Sequence, residues 1–160
     1  MKNISRIKER IKPYIENLIF AKRLGLFRKR VLIIGTPEYK NVGDSIITVA
    51  TVRLISDFLK EYNVIEITRR EYYRYYGTIR RFVSKRDIIT FQAGGNMGNV
   101  WHLEENCRRS VIQNFCNNKI ILLPQTIYYE DTDEGKRSLE NSQKIYSSHK
   151  NLIIVAREKV

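Results

Sequence analysis

The eleven residues FQAGGNMGNVW at 91–101 hold three glycines and two asparagines directly behind the apolar run at 88–91. Glycine lacks a Cβ, so such a run lets a bound group approach the backbone. Similar polar clusters follow other apolar runs: GTPEYKNVGDS at 35–45, PQTIYYED at 124–131 and AREK at 156–159. Each offers chemistry. Asp44 can accept a proton from, or orient, an attacking hydroxyl, and it can equally cap a helix. Asn41 and Asn96 carry both a donor and an acceptor suited to sugar or phosphate oxygens, and Asn beside Gly is also a common turn element. Arg157 can grip a carboxylate or phosphate with two parallel N–H bonds, or pair with Glu158. Gln125 can hold either a loop or a ligand hydroxyl. Trp101 can stack on a sugar face or lie under the loop.

The elements that must position these residues are legible as short β-branched runs at 31–35, 64–68, 88–91, 120–123 and 152–155, separated by helical or polar segments. Continuous apolar strands of this kind are buried on both faces, which predicts an α/β fold with a doubly wound, mainly parallel, Rossmann-like sheet of about five strands. In such a sheet the C-terminal strand ends open on one edge, where ligands bind. All four clusters lie at that edge. The spacing predicts a helix over about 43–59, with Ile47, Ala50, Leu54, Ile55 and Phe58 on its buried face. Further helices are expected at 70–83, 103–116 and 134–147.

Several classes are excluded. AGGNMG at 93–98 has alanine in the first glycine position of a dinucleotide fingerprint and lacks the acidic partner about 20 residues on, and no GxxxxGK[ST] occurs. Cys107, Cys116, His102 and His149 have no metal-ligand spacing, so no metal and no cofactor is expected. A tight turn is the plain alternative for the Gly-Gly-Asn run.

Four motifs in order, NVGDSII at 41–47, AGGNMGNVW at 93–101, ILLPQTIYY at 121–129 and NLIIVAREK at 151–159, resemble the polysaccharide pyruvyl transferase family. The resemblance implies transfer of a pyruvyl group from phosphoenolpyruvate to two sugar hydroxyls as a ketal, in capsule, exopolysaccharide or cell-wall glycan synthesis. At these strand ends Asp44 is the catalytic candidate, and Asn41, Gly43, Gly94, Gly95, Asn96, Gly98, Gln125 and Arg157 are the substrate-binding candidates. Ala93 departs from the three glycines usual in the family. Members look like two-domain, glycosyltransferase-B-like proteins about twice as long as this chain. This sequence corresponds to the N-terminal domain, and the absent half is expected to supply much of the phosphoenolpyruvate pocket, including a histidine as general acid. The isolated chain is therefore expected to be inactive.

Charge is concentrated: residues 1–30 carry ten Lys or Arg against two Glu, and residues 69–86 carry seven against one. Residues 1–28 form a basic amphipathic arm in which Ile4, Ile7, Ile11, Ile15 and Leu18 make an apolar stripe, Pro13 kinks the helix or starts its second half, and Gly25 ends it. Residues 29–160 form the Rossmann-like domain. The expected partners are phosphoenolpyruvate and a glycan or lipid-linked sugar acceptor, with an anionic membrane surface met through the arm. The expected location is the cytoplasm, at the inner face of the cell membrane. RREYYRYYGTIRRF at 69–82 interleaves bases and tyrosines but lacks a nucleic-acid fingerprint, so nucleic acid ranks below glycan or lipid. The rival reading is a non-catalytic module that binds an anionic glycan or lipid headgroup.

Overall fold

A computed structural model describes residues 2–25, 29–38 and 41–157, with side chains from residue 9 onward. The elements are α1 (Lys2–Leu24), β1 (Arg30–Thr36), α2 (Val42–Phe58), β2 (Asn63–Thr68), α3 (Arg69–Arg74), α4 (Tyr76–Phe82), β3 (Ile88–Phe91), β4 (Gly94–Met97), α5 (His102–Asn114), β5 (Lys119–Ile127), α6 (Asp133–Ser148) and β6 (Leu152–Ala156). Every strand pairing is parallel: β2, β1, β3 and β5 lie side by side, β6 flanks β5, and β4 pairs with the C-terminal part of β5. The five expected strands are present, and the mixed α/β, parallel architecture is as the sequence predicts.

The sixth strand was not expected. The Gly-Gly-Asn run is extended backbone, with Gly94 opposite Gln125 and Met97 opposite Ile127. β5 runs on through Pro124 to make this pairing possible. Gly94, Gly95 and Asn96 therefore stand on a short strand, and the tight-turn alternative does not hold.

Two helices also differ from expectation. The 70–83 segment divides at Tyr75 (φ −108°, ψ 20°), which ends α3 and begins α4 and stacks on Phe20 of α1 with ring centroids 4.3 Å apart. In α2, Thr48 and Thr51 are buried while Leu54 and Phe58 are exposed. Gln92 explains that rotation. Its Nε2 donates to the Asp44 carbonyl at 3.0 Å and its Oε1 lies 2.8 Å from Thr48 Oγ1, so the Asp44–Thr48–Thr51 side is drawn onto the sheet.

The core lies between the sheet and its helices, centred on Leu32, Ile34, Ile67, Tyr72, Ile89, Val111, Ile112, Ile120 and Leu122. α1 continues through Pro13 and closes at Gly25, whose φ of +68° favours glycine. Buried Arg30 then ties the helix down. It pairs with Asp87 at 2.8 Å, and its Nη1 also donates to the Gly25 carbonyl at 3.1 Å. Removing either member of this pair leaves the other charge buried and unpaired, which typically costs about 3–5 kcal/mol.

Candidate functional site

At the C-terminal edge of the sheet, the ends of β1 and β3, the strand β4 and the N-termini of α2 and α5 enclose a cleft of about 850 Å3. Asn41, Asp44, Gly94, Gly95 and Asn96 all line it, so residues far apart in sequence meet in one place. Gly43, Gly98, Gln125 and Arg157 are not among its lining residues. Gly43 donates its N–H to Asn41 Oδ1 in the cap of α2. Gln125 is buried beneath the cleft and donates from Nε2 to the Gln92 carbonyl, and the Arg157 N–H donates to the Gln125 carbonyl at 2.9 Å. Glu158 lies outside the described residues.

Asn41, rather than Asp44, caps α2, accepting from the Gly43 N–H at 3.0 Å. Its Nδ2 donates to Asp44 Oδ2 at 2.9 Å. That bond holds the Asp44 carboxylate at the cleft wall through Oδ2, and no hydrogen bond reaches Oδ1 from the described residues. Across the cleft, a Cβ built on Gly94 meets nothing within 4 Å, and one on Gly95 meets only Thr126 at 3.9 Å. Neither glycine has a positive φ. Gly94 therefore opens onto free space at the cleft wall, whereas Gly95, also on that wall, is in ordinary contact with Thr126 of β5.

The floor holds residues that the sequence did not single out. Arg108 of α5 is 2% exposed and donates to Asn96 Oδ1 at 2.8 Å and to Glu105 Oε2 at 2.5 Å, with its guanidinium over the Phe91 ring. Glu105, 1% exposed, also accepts from the Gly98 N–H and from the hydroxyls of Tyr129, Ser142 and Tyr146. Burial pushes its pKa up, but Arg108 and those hydroxyls outweigh burial and hold the carboxyl below its ordinary 4.5. This carboxylate knots β4, α5, α6 and the segment after β5 together, and through Arg108 it sets the Asn96 amide. The signal was in the helical pattern. Glu105 and Arg108 fall on the same stripe as Val111, Ile112 and Phe115, where charge is costly unless paired.

The rim is amphipathic. Trp101 is 53% exposed beside half-exposed Val100 and Leu103, which suits the apolar face of a pyranose ring. His102 lines the cleft, whereas His149 is buried, lying 3.2 Å from the Phe115 carbonyl through Nε2 and accepting from the Asn151 N–H through Nδ1. Among the described residues, the charged ones lining the cleft are Glu38, Asp44 and Glu104 against Arg69 and Arg108. Both guanidiniums are already paired, Arg69 with Glu104 at 3.3 Å and Arg108 with Glu105. Among the described residues, no three ligating side chains are arranged to hold a metal ion.

The sequence profile described as polysaccharide pyruvyl transferase matches residues 41–160. General stress protein 30 of Bacillus subtilis (strain 168) is 35% identical over 131 residues, covering 82% of this chain and 38% of that protein. Pyruvyl transferase 1 of Schizosaccharomyces pombe (strain 972 / ATCC 24843) is 29% identical over 149 residues, covering 89% of this chain and 36% of its own length. The chain thus spans less than half the length of the relatives it matches.

Proposed function

The chain belongs to the polysaccharide pyruvyl transferase family, and on that premise we propose that it forms the acceptor-binding part of an enzyme that moves a pyruvyl group from phosphoenolpyruvate to two hydroxyls of a sugar. The product is a ketal on a capsule, exopolysaccharide or cell-wall glycan. A lipid-linked acceptor would set this reaction at the cytoplasmic face of the cell membrane.

One observation carries the assignment of the acceptor to this cleft: its lining combines amides, carboxylates and an exposed tryptophan, with both lining guanidiniums already ion-paired. Sugars are bound by such groups, whereas phosphoenolpyruvate, with its phosphate and carboxylate, calls for free cations. In this reading Asp44 accepts a hydrogen bond from an attacking hydroxyl and draws off its proton as the new C–O bond forms. Asn41 holds that carboxylate, Asn96 and the Gly94–Gly95 backbone fix the neighbouring hydroxyls, and Trp101 covers the ring face. The second hydroxyl adds to the same carbon, one of the two hydroxyl protons passes to the donor's methylene carbon to make the methyl group, and phosphate leaves with the other; the donor is bound by groups outside this cleft.

Titrating the chain with methyl hexopyranosides, and separately with phosphoenolpyruvate, followed through amide and indole NMR signals, tests this. Sugar is expected to shift Gly94, Gly95, Asn96 and Trp101, with phosphoenolpyruvate shifting them less. Stronger perturbation of these signals by phosphoenolpyruvate would overturn the acceptor assignment. The chain alone is expected to release no phosphate from phosphoenolpyruvate.

A further inference from the structure

The apolar stripe of α1 faces away from the body of the protein. The inner side of the helix is held by Phe20 and Leu24 in the core, by the Asn17–Thr78 hydrogen bond at 2.6 Å and by the ion pairs of Glu16 with Arg74 and Arg23 with Glu71. On the opposite side Ile11, Tyr14, Ile15, Leu18 and Ile19 are 47–74% exposed. At 3.6 residues per turn these five share one face, with Arg10 and Lys12 on its two margins and Lys22 continuing it. A helix docked firmly by one side while presenting isoleucine, leucine and tyrosine to solvent on the other needs something to cover that face.

The fold also brings the two basic segments of the sequence together. α1 packs along α3 and α4, so Arg80 and Arg81, exposed on α4, stand beside the arm. Neither they nor Arg10, Lys12 and Lys22 have an ion-pair partner among the described residues. No described helix is long and apolar enough to cross a membrane. An exposed apolar stripe margined by unpaired cations, with a tyrosine at its edge, matches the chemistry of an anionic bilayer surface: acyl chains for the stripe, headgroup phosphates for the margins.

We infer that the outward face of α1, together with the flanking basic side of α4, is a docking surface for an anionic lipid bilayer, with α1 lying in the plane of the headgroups. α1 is anchored to the core at Phe20, Leu24 and the Arg30–Asp87 clamp, so the whole domain is carried to the membrane in a fixed orientation. This surface is separate from the cleft, and its test does not depend on pyruvyl transfer.

The test is flotation of the full chain with vesicles of phosphatidylcholine alone and of phosphatidylcholine with about one third phosphatidylglycerol, across a salt series. The wild-type chain is expected to float with the anionic vesicles and to be released as salt rises. The double variant Ile15→Glu/Leu18→Glu, at exposed positions that leave the fold intact by circular dichroism, should lose binding by roughly tenfold or more, because two apolar side chains no longer enter the bilayer. Arg80→Gln/Arg81→Gln should weaken it by about fivefold per charge. Equal binding to neutral and anionic vesicles, or full binding by the Ile15→Glu/Leu18→Glu variant, would overturn the proposal. So would a dimer in light scattering that this variant converts to monomer, because the face would then be covered by a second copy of the chain.

Discussion

A Cβ built on Gly94 meets no atom within 4 Å and one on Gly95 meets only Thr126, whereas one on Gly98, just past the end of the same short strand, would stand 1.7 Å from the Tyr128 carbonyl oxygen. Gly98 also has a φ of +132°, where a side chain is strained. Its N–H reaches buried Glu105, so it is locked into the knot beneath the cleft. The two ends of β4 thus use glycine for different ends. At the entrance the missing side chain keeps a cleft open, and at the exit it lets two backbones touch. A sequence motif read as one ligand loop is, physically, half cleft wall and half structural joint.

The largest effect is expected at the joint. Gly98→Ala forces Cβ against the Tyr128 backbone in a strained conformation and should cost on the order of 3–5 kcal/mol, read as a large fall in the thermal midpoint. A midpoint within a few degrees of wild type would show that the two ends do not differ. Glu105→Leu should follow closely, at about 3 kcal/mol or more, because it strands the Arg108 charge together with three hydroxyls and the Gly98 N–H. Glu105→Gln separates charge from shape through pH. The folded-state pKa of Glu105 is depressed, so its ionised form stabilises the fold above the ordinary 4.5 and that contribution is lost as pH falls through the lower folded value. Wild type should therefore lose stability progressively below pH 4.5, and the Gln variant should show a flatter acid limb in urea titrations at fixed pH values.

How far this contrast was legible in the sequence depends on which force makes each part. β1, β3 and β5 are continuous apolar runs because both their faces are buried, and that pattern is visible in one dimension. β4 has no such pattern. Gly-Gly-Asn has little strand preference, and its extended form comes from pairing with Gln125 and Ile127 about thirty residues away. The rotation of α2 was hidden in the same way, since a single glutamine, Gln92, settles it by bonding to the Asp44 carbonyl and facing the Thr48 hydroxyl. At the site, Asn41, Asp44, Gly94, Gly95 and Asn96 stood out because they sit at strand ends, where structural connections need few polar residues. Glu105 and Arg108 did not stand out, because inside a charged helix only burial separates a solvated pair from a buried one.

The smallest expected effect is chemical. Burial pushes the Cys107 thiol up to about 12, while Cys116 is exposed. A disulfide reagent at pH 8 should therefore titrate one thiol quickly in the folded chain and the second only on unfolding. Two fast thiols would mean that the Cys107 side of α5, which borders the cleft, is looser than the packed joint at Gly98.

The central claim is that the entrance of β4 is open for a ligand rather than for the fold, and Gly95→Val tests it most directly. Thermal midpoint and hexopyranoside binding are to be measured on the same preparation of the full chain. The account predicts a stability change below about 1 kcal/mol, a shift of roughly 2–4 °C, since a Cβ there meets only Thr126, at an ordinary contact distance of 3.9 Å. It predicts at the same time loss of the sugar-induced shifts at Asn96 and Trp101. A Gly95→Val chain that unfolds as readily as Gly98→Ala, or one that keeps its fold and binds sugar as wild type does, would contradict it.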